Sequence, residues 1–484
     1  MPAQQQQQDS GAPLTLIHRQ VGGMNLRDAP TALGESDFLT LQNVMPYGNG
    51  NLAVLPGPLL LSAAPVGKTL ANVWAVVFSG VNYLLVQMTD GSLYYLNLST
   101  NVFTNIGAAA ATTVGGFHVT KWQTQDAAGH TEAVLWCDTA KGYGYWTGGA
   151  LTVISATLTG QAIAVYSGRV WIANGSTVTY SAPDNYEDFT IADYGGAFAV
   201  TDPVMNGPIL ALLPSQNWLY LVGASVMALN NVQVQSVAGS TTLSTTFFIT
   251  LAAAGVGITQ EKAVMVLQNV LFVVSSSGLW AFYGLQAQLV SQIAGANFSG
   301  SYLLGAAVVL GQLLIVLSNG YSYLPVQNMW FNVSYPGSVG APWLQQATLV
   351  NSSVTLYVIS GANVYQFGAN NTSVQSCLIS TRLFDAGNAS INKQVLRAGV
   401  EFYQQELVTP VTPAPLNGTL MLTGFQTDSL AVAFANLDGT QNQWLRGPYG
   451  LIDRYFGMKL SFSAPPSVSV AGFYWQFKDS TIWP

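Results

Sequence analysis

The sequence predicts an all-β protein, a β-propeller of six or seven blades followed by a C-terminal β-sandwich. Three observations predict it. Helical periodicity is nearly absent, short apolar or alternating runs bounded by Gly, Asn, Ser and Asp recur throughout, and a hairpin with a glycine at its turn returns seven times.

In chain order, residues 1–20 read as a mobile arm: residues 4–8 are a glutamine tract, and the start lacks the basic-then-apolar pattern of a secretory signal. Residues 21–60 read as an extended segment. The propeller is assigned to residues 61–375. Its hairpins pair 83–86 with 93–96 around Asp90-Gly91, 133–136 with 143–146 around Lys141-Gly142, and 169–172 with 178–180 around Asn174-Gly175. Four more follow: 218–222 with 226–229 around Gly223, 271–274 with 279–283 around Gly278, 313–317 with 321–324 around Asn319-Gly320, and 355–359 with 364–367 around Gly361. The turn glycines are 33 to 55 residues apart, 45 on average, and one four-stranded blade takes roughly 40 to 50 residues. A glycine supplies the positive φ that tight hairpin turns require. The rival reading is an irregular series of β-sandwiches in which turn glycines are merely common.

The longest apolar stretch, residues 303–317, is short of the ~20 residues that span a bilayer. With Gly305, Gly311 and Gln312 inside it, it reads as two core strands joined at Gly311-Gln312. Residues 376–484 carry longer alternating segments punctuated by Pro410, Pro413 and Pro415, the pattern of a sandwich with one face inward.

At 484 residues the chain is larger than one hydrophobic core usually grows. Half of it is apolar and only 7% is charged, against roughly 25% in ordinary soluble proteins. Asn, Gln, Ser, Thr and Gly supply the polarity instead, which suits surfaces buried against neighbours because no charge has to be desolvated. The net charge is −7, and the 14 Lys and Arg residues form no cluster that could neutralise a run of phosphates. Tight nucleic-acid binding is therefore not expected. Cys137 and Cys377, 240 positions apart, make neither a disulfide framework nor a zinc spacing. Reduced thiols are the default reading, with one long-range disulfide left open.

No catalytic constellation stands out. The only histidines are His18, His118 and His130. His118 and His130 flank Asp126 in a stretch that reads as a loop, a weak acid-base or metal candidate beside the commoner case of solvated loop histidines. The densest acidic segment holds Asp184, Glu187 and Asp188, with Asp193 beyond. Paired carboxylates are what glycoside hydrolysis needs, but Pro183-Asp184-Asn185 also reads as a simple turn. There is no phosphate-cradling loop ending in Lys-Ser/Thr, no Gly-x-Ser-x-Gly turn and no calcium-loop spacing. The sequence thus reads as having no cofactor, no metal site and no enzymatic activity. The 12 Trp and 22 Tyr lie mostly in alternating strands, where core packing or subunit contacts account for them.

The most specific segment is Gly22-Gly23-Met24-Asn25-Leu26-Arg27-Asp28-Ala29-Pro30, followed by Leu33-Gly34-Glu35, Leu41-Gln42-Asn43-Val44 and a Gly-x-Leu step into Pro56-Gly57. This resembles the opening of tail nozzle or hub proteins of short-tailed bacteriophages, some described as DNA-stabilisation proteins. Gly23, Asn25, Pro30, Asn43, Pro56 and Gly57 carry the resemblance. Arg169-Val170-Trp171, Tyr180-Ser181-Ala182-Pro183 and Asp188-Phe189 are similar to a blade of those proteins. The chain departs from the pattern at Leu55, where a basic residue often precedes Pro-Gly, and in its low charge.

The resemblance implies a virion structural protein made in the host cytoplasm and placed in the tail. It would form a homo-oligomeric ring, a hexamer, beneath the portal and adaptor proteins, with tail fibres or spikes as further partners. Such a ring would enclose and close the DNA exit channel and let double-stranded DNA pass at genome ejection without tight binding. The alternatives are a carbohydrate- or receptor-binding tail propeller and a glycoside hydrolase built on the Asp184 segment.

Overall fold

The computed structural model describes residues 13–18, 22–47, 50–106, 112–123, 132–236, 243–291, 298, 300–333, 345–350, 354–368, 374–385, 389–404, 416–424, 432–437, 442–445 and 451–480. Four strands come first: β1 (Leu14–His18), β2 (Phe38–Gln42), β3 (Val44–Tyr47) and β4 (Asn51–Val54). After β5 (Leu59–Ala63) come the blades. Blade 1 is β6–β9 (Leu70–Phe78, Val81–Met88, Leu93–Asn97, Val102–Asn105), and blade 2 is β10–β13 (Phe117–Trp122, Ala133–Asp138, Gly142–Trp146, Thr152–Ser155). Blade 3 is β14–β17 (Ala162–Tyr166, Arg169–Asn174, Thr177–Tyr180, Gly196–Ala199), and blade 4 is β18–β21 (Ala211–Pro214, Leu219–Val222, Val226–Ser236, Leu243–Ala253). Blade 5 is β22–β25 (Val264–Leu267, Val270–Ser275, Gly278–Tyr283, Gln286–Leu289), and blade 6 is β26–β29 (Leu303–Val309, Gln312–Leu317, Tyr321–Leu324, Met329–Asn332). Blade 7 begins with β30–β32 (Gln345–Val350, Val354–Ser360, Asn363–Phe367). The last strands are β33 (Gln375–Thr381), β34 (Lys393–Gln404), β35 (Leu416–Gly424), β36 (Val432–Leu437), β37 (Asn442–Leu445), β38 (Ile452–Asp453), β39 (Phe456–Ala464) and β40 (Val468–Asp479).

The protein is all-β and contains a seven-bladed propeller. Each blade is an antiparallel sheet of four consecutive strands, except that β5 supplies the outer strand of blade 7. Asn363 pairs with Ala63 and Gln366 with Leu59, so the segment that enters the propeller also closes it. The first strands of successive blades, β6, β10, β14, β18, β22, β26 and β30, adjoin one another, with β30 returning to β6.

All seven turn glycines lie between the second and third strands of their blades or at the start of the third. Six of them have φ between 61° and 137°, a range that β-carbon sterics close to most residues. The apolar core lies between blades as well as within them. Val76, Leu85 and Leu93 of blade 1 pack with Phe117, Val134 and Trp136 of blade 2, and Tyr357 and Ile359 of blade 7 pack with Leu70 and Val73 of blade 1. The 303–317 stretch is the β26–β27 hairpin, turning at Gly311 with φ 75°.

Outside the ring, two sheets share one core. The first runs β3-β4-β40-β34-β37, with β1 on β40 and β38 on β34. The second is the continuation of blade 6 through β2 into β33, β39, β35 and β36, nine strands in all. Phe38, Leu52, Ile379, Leu420, Leu460, Val470 and Trp475 meet in that core.

This unit differs from the sequence reading in its membership. Residues 14–18, assigned to a mobile arm, form β1 and pair with β40 from Leu14–Phe477 to His18–Phe473. The extended segment supplies β2, β3 and β4. Partners some 450 residues away leave no local periodic signal, whereas a hairpin partner does. Residues 1–12 and the prolines at 410, 413 and 415 lie outside the described residues. Both cysteines are free thiols in separate clusters, so the long-range disulfide is absent. Burial pushes Cys137 well up and Cys377 up to about 12.

Candidate functional site

Of the residues that carry the resemblance, Gly23 and Asn43 sit at the joint between blade 6 and the two-sheet unit, and the others hold the segments that lead into and out of it. Gly23 packs against blade 6 so closely that a β-carbon there would stand 2.7 Å from Trp330 N. Its carbonyl accepts from Phe38 N (3.1 Å), and Met24 N donates to Trp330 O (2.6 Å). Asn25 donates from Nδ2 to Asp28 and Asp37 carboxylates (both 3.0 Å) and accepts from Arg27 N through Oδ1. Pro30 O accepts from Leu383 N at 3.1 Å. Asn43, with φ 56°, donates from Nδ2 to Ser376 O (2.7 Å) and from its backbone to Asn332 O (2.9 Å). Pro56 and Gly57 are buried in the crossover from β4 to β5. These residues are therefore architectural, and they offer no free reactive group.

The second resembling segment forms a buried node in blade 3. The Arg169 guanidinium donates to Ser181 O (2.6 Å), Tyr194 O (2.7 Å) and Thr245 Oγ1 (2.9 Å), tying blade 3 to the β20–β21 hairpin. Ser181 Oγ accepts from Val170 N at 3.0 Å, and Trp171 packs on Tyr180 with ring centroids 5.1 Å apart.

The acidic segment follows this node. Asp184 and Glu187 are exposed, and Asp184 takes φ 52° in a turn closed by Asn185 N on Ala182 O, while its own N–H donates to Gly168 O between β14 and β15. Asn185 Oδ1 accepts from Glu187 N, and Asp188 Oδ1 accepts from Thr190 N. The latter bond leads the causes that lower the Asp188 carboxyl below its ordinary value. The side-chain hydrogen bonds of Asn185 and Asp188 are those of local turns.

A different set of polar side chains meets in the propeller's central cavity, about 510 Å³ in volume. It is lined by β6, β10, β14 and β18 and by the 3-10 turn Glu261–Ala263 that leads into β22. His118, read as a loop residue, lies on β10 and is 7% exposed. Its Nδ1 stands 2.8 Å from Glu261 Oε2, linking blades 2 and 5. Next to it, Lys262 reaches toward Asn72 Oδ1 of blade 1 at 3.4 Å. Burial pulls the Lys262 ammonium down to about 8, partly offset by the Glu261 carboxylate. Asn72 is fixed from behind, because its Nδ2 donates to Gln87 Oε1 (2.6 Å) and Gln87 Nε2 donates to Thr112 Oγ1 (2.6 Å).

Sequence reasoning missed Asn72, Glu261 and Lys262. For Glu261 and Lys262 the available signal was charge at the entry to a first strand, in a chain where charge is scarce; Asn72 carried no such signal. Asp126 and His130 lie outside the described residues. Among the described residues no group of three or more His, Cys, Asp and Glu is placed to hold a metal ion. No helix there is long and apolar enough to cross a membrane.

No family model matches the chain, and no curated protein matches it. Among solved structures, BamB from Moraxella catarrhalis aligns at 12% identity over 74% of this chain and 100% of that one, with a TM-score of 0.36.

Proposed function

We propose that the chain is a structural subunit of a homo-oligomeric ring, the nozzle or hub of a short phage tail, which closes the DNA exit channel and opens for genome ejection. The observation that carries this reading is the nine-stranded sheet. Hydrogen bonding runs from blade 6 through β2 into the two-sheet unit, with Gln42 paired to Asn332 on one side and Leu41 to Ile379 on the other. Gly23, Met24, Leu41, Gln42 and Asn43 of the resembling segment make this joint, which gives that part of the motif a mechanical role in tying propeller and sheets together.

The surface supports assembly as well. Leu243, Phe248, Ile249 and Leu251 of β21 are exposed, Phe248 by 64%. Aromatic and apolar side chains of this kind are enriched at the centres of protein interfaces. The cavity inside the propeller is too small for a duplex, so the DNA channel lies on the axis of the ring, between copies. Its wall carries fewer Lys and Arg than Asp and Glu, which keeps DNA mobile because no phosphates are captured.

Sedimentation of the purified chain tests this reading. The expected result is a closed oligomer that Phe248→Asp reduces to smaller species while the fold survives. A wild-type monomer at every concentration would overturn it. A low-salt gel shift adds a second test, since micromolar binding of linear duplex that weakens steeply with salt would mean a basic grip instead.

A further inference from the structure

The propeller cavity has features that the ring reading does not use. Its walls are more apolar than polar, with Val73, Trp74, Phe117 and Ile163 among them, and its polar side chains come from blades 1, 2 and 5 and from Gln161 at the entry to blade 3. A mostly apolar cavity of this size with a few convergent polar groups is the usual form of a small-molecule site.

Lys262 is the group left without a matching charge. Its one hydrogen bond among the described residues goes to a neutral amide at 3.4 Å. The nearby Glu261 carboxylate is engaged by His118 at 2.8 Å, and no carboxylate among the described residues lies within ion-pair distance of Nζ. Lys262 is half-buried, and even partial burial of an ammonium is costly unless a counter-charge meets it. Asn72 offers only a neutral acceptor: Gln87 holds its Nδ2 at 2.6 Å, and Oδ1 faces Lys262.

We infer that the central cavity is a binding site for a small oxyanion, a phosphate or a carboxylate, with the Lys262 ammonium as its principal contact. Two of the three ammonium donors remain for the ligand oxygens after the bond to Asn72. Glu261 sets the selectivity: held by His118, its carboxylate disfavours multiply charged anions and favours a singly charged oxyanion. The apolar wall residues lower the local dielectric and strengthen the contact relative to open water.

Isothermal titration with inorganic phosphate and, separately, with acetate tests this on the full chain, with chloride at matched ionic strength as control. The wild-type protein is expected to bind at least one of the two saturably, one per chain, at millimolar concentration or tighter. Loss of a charge-assisted contact should weaken that binding about tenfold or more in Lys262→Met. Lys262→Gln serves as a second variant if the methionine fails to fold, and Glu261→Gln should bind more tightly. Phosphate binding alone points to a phosphorylated ligand, and acetate binding alone to a carboxylate. Absence of saturable binding of both anions, or equal binding by the Lys262 variants, would overturn the assignment.

Discussion

His118 Nδ1 and Glu261 Oε2, 143 residues apart in the chain, stand 2.8 Å from each other across the propeller cavity and join blade 2 to blade 5. Such a contact should hold the ring's first strands in place. His118→Ala and Glu261→Ala are each expected to destabilise the fold by about 1 kcal/mol. The double variant should lose less than the sum, with a coupling energy of about 0.5 to 1.5 kcal/mol. Denaturant unfolding of the four proteins measures it, and strict additivity would mean that the two side chains do not interact.

Asn43 provides a backbone test at the joint. It combines φ 56° with a side-chain bond to Ser376 O. Asn43→Ala loses the bond and strains the backbone, since the left-handed region costs an alanine about 1 kcal/mol. Asn43→Gly loses the bond but adopts the conformation freely. Thermal unfolding should therefore rank wild type above Asn43→Gly above Asn43→Ala. A glycine variant less stable than the alanine variant would show that the backbone conformation is not the constraint.

His18 makes the two-sheet unit acid-sensitive. Its ring lies among Phe38, Phe384 and Phe473, and its Nε2 has no hydrogen-bond partner among the described residues. Burial, reinforced by the Arg382 charge, lowers its pKa from 6.5 to about 4. The unfolded chain therefore takes up this proton first as pH falls. The His18 contribution is complete above about pH 6.5, declines as pH drops toward 4, and levels off below that, a span of about 3 kcal/mol. His18→Leu, which fills the same apolar site without titrating, should lose less stability than wild type between pH 6.5 and 4. Parallel pH profiles for the two proteins would contradict the assignment.

The blades are legible in the sequence because each repeats one local event, a strand, a turn that favours glycine, and a strand. Gly223 is the instructive exception. It marks the blade 4 hairpin without a positive φ, and a β-carbon there would run into Pro208 O. The position is therefore informative for a reason other than turn geometry. The N-terminal strands are illegible because β1 and β4 complete a sheet whose other long members lie beyond residue 390. The cavity is illegible for a related reason. Asn72, His118 and Glu261 come from three blades, and only ring closure brings them together. In the sequence His118 stands nearest Asp126 and His130, whereas in the fold its partner is Glu261.

If this chain builds a ring around a channel, electron microscopy of the purified protein will show it most directly. The expected class averages are closed rings of one size, each subunit a propeller joined rigidly to its two-sheet unit, around an open axial passage wide enough for duplex DNA. Isolated propellers, or open chains of subunits without a passage, would contradict it.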